Sequence, residues 1–306
     1  MDNQDIKVTI RCITYNQKDY IRQCLDGFVM QRTNFRFEAI VHDDASTDGT
    51  AEIVREYAEK YPDIIKPIFE TENQYSKHDG SLGRIMNANT RGKYVAICEG
   101  DDYWTDPLKL QKQADFLDAN PQCSLTYHAC KNVFSTPCKV NILYGECVKE
   151  SYSDIDILSI YPFQTATVMY RKDILDSDLY KKAQEIGCTA GDQILFLTAS
   201  RFGTIEGVNE QMSVYRRHEG GISQHMYDAD KLWKNFKDWQ KVALLFGGNI
   251  RKKINKDQLG LFLYRAFTLK KYKIFFKMLR LSMFKNPYSI VFSFILISSY
   301  YHRFFK

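Results

Sequence analysis

The chain has 306 residues, of which 44% are hydrophobic and 26% charged, a composition typical of a soluble globular protein and not of a disordered or fibrous one. This length suffices for one large α/β domain with an appendage, or for two modest domains. The net charge of +5 conceals an asymmetry, because residues 231–306 hold 17 Lys and Arg against two acids, whereas residues 1–230 hold 25 basic and 35 acidic side chains. A basic segment of this kind favours contact with phosphate groups, either of nucleic acid or of an anionic membrane.

The eight cysteines show neither a CxxC pair nor another metal-ligand spacing. Several lie in apolar stretches, where a free cysteine packs as a small core residue. The N-terminus lacks the pattern of a signal peptide. We therefore expect reduced cysteines and a cytoplasmic protein.

The first hundred residues alternate between the patterns of strands and helices. Strands are predicted over 7–16, 35–46, 63–70 and 93–99, and helices over 17–31, 50–61 and 82–92. Repeated alternation of this kind predicts an α/β fold in which a mostly parallel sheet is wound with helices. Ligands of such sheets bind beyond the carboxyl ends of the strands.

The pattern is looser beyond residue 105. It predicts a helix over 106–121, a strand over 123–130, an irregular stretch over 131–160, a strand leading into a helix over 165–175, a helix over 191–203 and a hairpin-like strand pair over 203–223. The composition turns to Lys, Phe, Tyr and Leu near residue 228, where we place a domain boundary.

Three of the four early strands end in polar or acidic residues, namely Thr14-Tyr15-Asn16, Asp43-Asp44 and the segment from Glu99 to Asp102. We expect these tips to converge on one edge of the sheet. Crowded carboxylates are costly unless a cation or a hydrogen-bonding ligand lies among them. Glu99 and Asp101 are two residues apart, and their hard oxygen ligands favour Mg²⁺ or Mn²⁺. The alternative is a solvated acidic turn that caps the next helix.

The acids that follow the second strand have two interpretations. Asp43 and Asp44 either cap the helix after "DDASTDGT" or accept hydrogen bonds from a nucleotide base or ribose. Lys77 and His78, in the loop over 73–81, either contact a nucleotide or are solvated.

Three segments, "ITYNQKDYIRQCLDGFVMQ", "FEAIVHDDASTDGTAEIV" and "RGKYVAICEGDDYWTDPLKLQKQ", together and in this order closely resemble the inverting glycosyltransferases of family two, which have the GT-A fold. The resemblance is dense over residues 6–115 and looser as far as residue 223. It implies a Rossmann-like GT-A catalytic domain over 1–227, with a nucleotide-sugar half over 1–105 and an acceptor half over 106–227.

The resemblance also implies roles for individual residues. The nucleotide would be held by Thr14, Tyr15, Asn16 and Asp44. In the family's Asp-x-Asp motif, Glu99 replaces the first aspartate, so Asp101 is expected to bind the metal and Glu99 and Asp102 to serve the substrate, Glu99 through the ribose or a metal-bound water.

Two further segments supply the remaining candidates. In "CTAGDQILFL", the resemblance nominates Asp192 as the general base, and the alternative is a simple helix N-cap. In "VYRRHEGGIS", His218 is a candidate ligand of the metal or of a phosphate. Arg216 or Arg217 would neutralise the negative charge of the diphosphate, and we nominate Arg217 for this role.

The implied activity is that of a metal-dependent inverting glycosyltransferase of the hexosyltransferase type, using Mg²⁺ or Mn²⁺ and a nucleoside-diphosphate sugar, with UDP as the implied nucleotide. A nucleotidyltransferase is an alternative, but it predicts a glycine-rich N-terminal loop, and "CITYNQKDY" has no glycine. A catalytically silent module that binds sugar nucleotides or a membrane is the other alternative.

The segment 228–306 is predicted to be a basic, aromatic, helical tail. Its apolar run over 288–301 has 14 residues, fewer than the ~20 that a spanning helix needs. Aromatic residues interleaved with Lys and Arg favour a helix lying on anionic lipid at the inner face of the cytoplasmic membrane. The alternative is that these helices pack on the catalytic domain. No nucleic-acid module accompanies the charge, so we do not expect binding of nucleic acid. The family resemblance implies a saccharide or lipid-linked saccharide acceptor.

Overall fold

The computed structural model describes residues 5–134, 151–160, 162–188, 190–221 and 231–285. Its strands are β1 (Val8–Thr14), β2 (Phe37–Asp43), β3 (Ile65–Phe69), β4 (Tyr94–Ile97), β5 (Tyr103–Trp104), β6 (Cys123–Phe134), β7 (Met169–Arg171) and β8 (Thr204–Arg217). Its helices are α1 (Lys18–Val29), α2 (Thr50–Lys60), α3 (Ser81–Asn89), α4 (Lys109–Ala119), α5 (Asp154–Ile160), α6 (Asp173–Asp176), α7 (Asp178–Glu185), α8 (Gly191–Ala199), α9 (Leu232–Phe246), α10 (Gly248–Lys253), α11 (Leu259–Thr268) and α12 (Tyr272–Lys285).

The described strands form one sheet in the order β3-β2-β1-β4-β7-β6-β8-β5. The strands β3, β2, β1 and β4 are parallel, and β7 joins them to the second half by antiparallel pairing with β4 and β6. The strand β1 is almost entirely buried, as expected for a central parallel strand covered by helices on both faces. The predicted α/β class and the seven early elements are confirmed.

The prediction of a hairpin over 203–223 is wrong. One strand, β8, runs from Thr204 to Arg217 alongside β6. His128 pairs with Val208 while the next residue, Ala129, pairs with Gln211, so two polar residues of β8 form a bulge instead of a turn. The irregular stretch predicted over 131–160 begins and ends differently, because β6 continues to residue 134 and α5 occupies 154–160. The segment 135–150 and the boundary near residue 228 lie outside the described residues.

Two apolar cores lie against the sheet. One combines β1 and β2 with α1, α2 and α4. The other joins β6, β7 and α8 to the C-terminal helices, so that Phe163 and Phe196 share a cluster with Phe236, Trp239 and Leu263. The helices from α9 into α12 therefore pack on the α/β part of the chain, as one of the two interpretations of the tail predicted. The apolar run over 288–301 lies outside the described residues. Within the ranges described, none of the helices combines the length and apolar character required to cross a membrane.

A buried lysine, Lys109, lies at the start of α4. Its Nζ is 3.8 Å from the ring centroid of Trp104, and within the described part of the chain it makes no hydrogen bond. Burial lowers the pKa of Lys109 to about 7. The neighbouring imidazole of His128 responds in the same direction, since burial and the charge of Lys109 hold its pKa well below the usual range.

We expect Lys109→Met to flatten the pH dependence of stability. Because the pKa of Lys109 is depressed in the folded state, the unfolded chain binds more protons between about pH 7 and 10, so this group makes stability rise with pH across that window. Removing it should lower the slope by up to ~1.4 kcal/mol per pH unit. Urea unfolding at pH 7, 8 and 9 measures the slope. The control is Lys112→Met, because Lys112 pairs with Asp106 and Glu210 and its pKa is raised. Identical slopes in wild type and Lys109→Met would contradict the account.

Candidate active site

The carboxyl ends of β1, β2 and β4 lie side by side, as the sequence predicted. Thr14 is paired with Asp43, and the N–H of Asp44 donates to the carbonyl of Thr14 over 2.9 Å. On the other side, the N–H of Gly100 donates to the carbonyl of Ile13 over 3.0 Å. A Cβ at Gly100 would lie only 2.7 Å from the Oγ1 of Thr14, so this close approach requires glycine.

The turn after β1 is held by Asn16, which has a positive φ of 51°. Its Oδ1 accepts a hydrogen bond from the N–H of Thr47 over 2.8 Å, and its own N–H donates to the Oγ of Ser46 over 2.9 Å. Thr14 is buried below the turn and donates to the Oε1 of Gln17 over 2.8 Å. The ring of Tyr15 is 48% exposed at the tip, where it offers a face for stacking.

Asp44 is buried and holds the loop that follows β3. Its Oδ1 accepts the N–H of Gln74 over 2.7 Å, and its Oδ2 accepts the N–H of Tyr75 over 3.0 Å. A carboxylate has about four lone-pair directions, so Asp44 retains capacity to accept a further N–H. The aspartate therefore ties the loop to the strand tip where a base was predicted.

The three acids of the 99–102 segment have different partners. The buried carboxylate of Asp102 accepts from the Nε2 of Gln164 over 2.5 Å and from the N–H of Arg216 over 2.7 Å. Burial, with the nearby charges of Asp101 and Glu99, raises the pKa of Asp102 well above its usual range.

Glu99 accepts a hydrogen bond from a different residue. Its Oε2 accepts from the Oγ1 of Thr165 over 2.6 Å. Burial raises the pKa of Glu99 to about 7, and the charges of Asp101 and Asp192 act in the same direction. Gln164 and Thr165 were not predicted from the sequence, because they reach the acids from a short 3₁₀ turn more than sixty residues away.

The two predicted metal ligands lie together. The Nε2 of His218, just after β8, is 2.9 Å from the Oδ2 of Asp101. Across the residues that the structure describes, three or more His, Cys, Asp or Glu side chains do not converge into a closed metal site. The pair nonetheless fits a divalent ion, since ligands at ~2.1 Å around an octahedral ion are ~3 Å apart, and Mg²⁺ is usually held by one or two protein ligands plus substrate phosphates.

Arg216 is the arginine that lies against the acidic segment. Its Nη1 donates to the carbonyl of Asp101 over 2.5 Å, and its guanidinium is 4.7 Å from the ring centroid of Tyr20. Adjacent residues of a strand face opposite sides of the sheet. Arg217, which the sequence analysis nominated, accordingly lies on the other side, 5.6 Å from the ring centroid of Tyr215, and its role stays a prediction.

Asp192 lies in the first turn of α8 and is half-buried. Ala190, not Asp192, occupies the N-cap position. The Oδ1 of Asp192 accepts the N–H of Gln193 in the first turn over 2.7 Å, so this side chain also contacts the helix end. Its charge acts on the acidic segment through Glu99, and, after burial, it is the next cause that raises the pKa of Tyr75. Gly191, the residue before Asp192, lines one cavity with Gln74 and Tyr75 of the loop that Asp44 holds.

A cavity of about 200 Å³ opens beside Asp192. The loop after β3 forms one wall with Gln74, Tyr75 and His78, and the ends of α7 and α8 form the other. The lining is mainly apolar, with a few side-chain amide and imidazole groups that suit recognition of a sugar. His78 thus faces a ligand-sized space. Lys77, the other loop residue considered, forms an ion pair with Glu72.

We expect Thr165→Val to raise the Mn²⁺ concentration needed for the predicted UDP binding. Its free energy of unfolding should be close to that of the control variant Thr167→Val. The substitution removes the hydroxyl that orients Glu99, which is expected to contact a metal-bound water, and loss of such support around a metal site typically weakens metal affinity at least ~10-fold. Thr167→Val is the matched control, because Thr167 donates instead to the backbone carbonyl of Gln164 over 2.7 Å. Calorimetric titration of UDP at graded Mn²⁺ measures the effect; equal Mn²⁺ requirements in the two variants would refute it.

The family model for glycosyl transferase family 2 matches residues 9–178, which is more than half of the chain. The chain belongs to this family, so the predicted membership is confirmed. An uncharacterized protein of Mycobacterium tuberculosis, Rv1520, is 38% identical over 228 residues, covering 74% of this chain and 64% of the relative. The matched part thus spans 64%, which is less than two-thirds, of the length of that relative. The putative teichuronic acid biosynthesis glycosyltransferase TuaG of Bacillus subtilis is 27% identical over 250 residues, covering 80% of this chain and 93% of TuaG.

Solved structures show the same fold. The S. aureus TarS 1–349 structure in complex with UDP-GlcNAc superposes with a TM-score of 0.61 at 22% identity, covering 86% of this chain and 73% of that one. The mannosyltransferase PcManGT of Pyrobaculum calidifontis, in complex with GDP-Man and Mn²⁺, gives a TM-score of 0.55 at 17% identity, covering 99% and 89%. The predicted GT-A fold with a helical C-terminal region is confirmed.

Proposed function

We propose that this glycosyltransferase transfers a sugar, with inversion, from a nucleoside-diphosphate sugar to an acceptor hydroxyl. The observation that carries the proposal is the pairing of Asp101 with His218 at 2.9 Å, on the edge where the parallel strands end. Asp192 lies close enough to this edge for its charge to raise the pKa of Glu99. A cavity of about 200 Å³, lined in part by Gly191 next to Asp192, supports the binding of a sugar beside the proposed base.

The donor nucleotide is proposed to be UDP. The exposed ring of Tyr15 would stack on the base, while Thr14 and Asn16 fix the turn that carries this ring. Asp44 would accept the N–H of the base with a remaining lone pair. Support comes from TarS, whose complex contains UDP-GlcNAc.

The diphosphate is proposed to bind at Asp101 and His218. A bound Mg²⁺ or Mn²⁺ would act there as a Lewis acid that stabilises the charge of the leaving diphosphate. Arg216 adds a fixed positive charge next to Asp101. The carboxylate of Asp102 accepts hydrogen bonds from Gln164 and the backbone of β8, so we propose that Asp102 fixes the conformation of the 99–102 segment. Glu99 would contact the ribose or a metal-bound water.

Asp192 is proposed as the general base. Its carboxylate would take the proton of the acceptor hydroxyl as the hydroxyl oxygen attacks the anomeric carbon. The attack comes from the face opposite the departing diphosphate, so a single displacement inverts the configuration. Asp192 is half-buried, and its neighbour Gly191 lines the cavity, which supports an acceptor reaching this part of the site.

The acceptor is proposed to be a saccharide or lipid-linked saccharide used in bacterial surface polysaccharide synthesis. The similarity to TuaG, named for teichuronic acid biosynthesis, supports this assignment. We further propose a cytoplasmic enzyme that is peripheral on the inner membrane face, because residues 231–306 carry 17 basic and two acidic side chains.

A panel of sugar nucleotides tests the proposal. With Mn²⁺ present, the correct donor at 100 times its dissociation constant should stabilise the protein by ~2.7 kcal/mol, measured as a rise in melting temperature. Product analysis by NMR should then show nucleoside diphosphate and an inverted glycosidic bond. Pyrophosphate release from a sugar phosphate and nucleoside triphosphate would indicate a nucleotidyltransferase, and binding without any transfer would indicate a silent module.

A further inference from the structure

The helix α12 exposes large apolar side chains on the outer surface of the C-terminal region. Phe276 is 63% exposed and Tyr272 is 49% exposed. In the turn before the helix, Leu269 is 44% exposed. Three large apolar side chains within eight residues form a patch, and a clustered patch indicates an interaction site where single exposed residues do not.

The exposed residues of α12 occupy one face of the helix. At ~100° per residue, Tyr272 and Phe276 are ~40° apart, and Lys273, Lys277 and Arg280 continue the same face within ~140°. We call these five residues the α12 face. The opposite side is buried through Phe275, Met278 and Ser282, so the α12 face is not the side that joins the core.

The charge of this region has a single sign. Residues 258–306 contain nine Lys and Arg and no Asp or Glu. Lys270 and Lys271 are exposed in the turn next to Leu269. An apolar edge bordered only by cations complements a surface that is apolar beneath and anionic at its boundary, which is the chemistry of an anionic lipid bilayer.

We propose that the α12 face and the turn before it dock on anionic lipid. Phe276 and Tyr272 enter the headgroup boundary, while Lys273 and Arg280 contact lipid phosphates. The ammonium of Lys277 lies 4.3 Å from the ring centroid of Trp233 and so borders this surface from the protein side. This inference rests on the peripheral location proposed above and names the surface responsible.

Co-sedimentation of the full chain with vesicles tests the proposal. We expect binding to phosphatidylcholine vesicles that contain 30 mol% phosphatidylglycerol, little binding to pure phosphatidylcholine, and a decrease with added salt. The double variant Tyr272→Ser and Phe276→Ser should bind the anionic vesicles at least about tenfold more weakly. Lys273→Gln should weaken binding and reduce its salt dependence.

Phe202→Ser is the matched control, because Phe202 is 48% exposed in the turn between α8 and β8 and should leave binding unchanged. Unchanged vesicle binding in the double variant would overturn the proposal. So would a loss of self-association with no change in vesicle binding, which would make the α12 face a contact between copies. A lower melting temperature with no change in vesicle binding would show that another part of this chain covers the face, and would also overturn it. UDP titration of the same variants separates this failure from failure of the proposed transfer reaction.

Discussion

Asp192→Asn is expected to lose sugar transfer and to retain UDP binding. The amide cannot accept the acceptor proton, and removal of a general base typically lowers turnover by ~10²- to 10⁴-fold. The nucleotide contacts proposed at Tyr15 and Asp44 lie on other elements and remain intact. Nucleoside diphosphate release measures the rate, and calorimetry with UDP and Mn²⁺ measures binding.

Asp178→Asn is the control for this prediction. Asp178 also lies in the first turn of a helix, α7, but it is exposed. Its replacement should leave both transfer and binding unchanged. Full turnover by Asp192→Asn would refute the assignment of the base, and loss of UDP binding in that variant would indicate a structural role instead.

Asp101→Ala is expected to abolish the Mn²⁺-dependent part of UDP binding. The variant removes one of the two side chains proposed to hold the ion and leaves His218 alone. His218→Ala should have a similar effect, and the double variant should be little worse than either single one, because both residues act through the same ion. Calorimetric titration of UDP with and without Mn²⁺ measures all three.

Asp115→Ala serves as the control for the metal-site variants. Asp115 is exposed on α4 and accepts from the side chain of Gln111 over 2.9 Å. Its loss should leave the metal dependence intact. Mn²⁺-dependent binding at wild-type strength in Asp101→Ala would remove that residue from the metal site.

The acids of the 99–102 segment are compatible with one another because each has a different partner. Asp102 accepts hydrogen bonds from Gln164 and the β8 backbone, which partly offset the rise in its pKa caused by burial and by the charges of Asp101 and Glu99. Glu99 receives the hydroxyl of Thr165. Only Asp101 faces an imidazole, which leaves it as the carboxylate best placed for a cation.

The local pattern of the chain was sufficient to predict the first half of the fold. Strands such as β1 and β2 are short apolar runs followed at once by turn residues, and the amphipathic helices between them have clear ends. Because parallel neighbours align their carboxyl ends, the meeting of Thr14, Asp44 and Gly100 followed directly from the order of elements.

Long-range contacts were beyond the sequence pattern. The polar residues near 209 in β8 have the composition of a turn, but pairing with β6 holds them in a bulged strand. Gln164 and Thr165 carry no local signal, since their roles depend on acids more than sixty residues away. The choice between Arg216 and Arg217 depended on the side of the strand that faces the acids, which only the register reveals.

The packing of the C-terminal helices was likewise decided by tertiary contacts. Their basic, aromatic composition suits either lipid or a protein core. Phe236, Trp239 and Leu263 are buried against the acceptor half, whereas Tyr272 and Phe276 remain exposed. The buried and the exposed residues are of the same types. What distinguishes them is the face of the helix on which each one lies.

A crystal structure with UDP and Mn²⁺, measured at a wavelength where manganese scatters anomalously, tests the central claim most directly. The account predicts one anomalous peak, which marks a manganese ion coordinated by Asp101, His218 and the diphosphate of UDP. Asp192 should face the same cleft. UDP bound without a peak at that pair, or with its diphosphate on another surface, would contradict it.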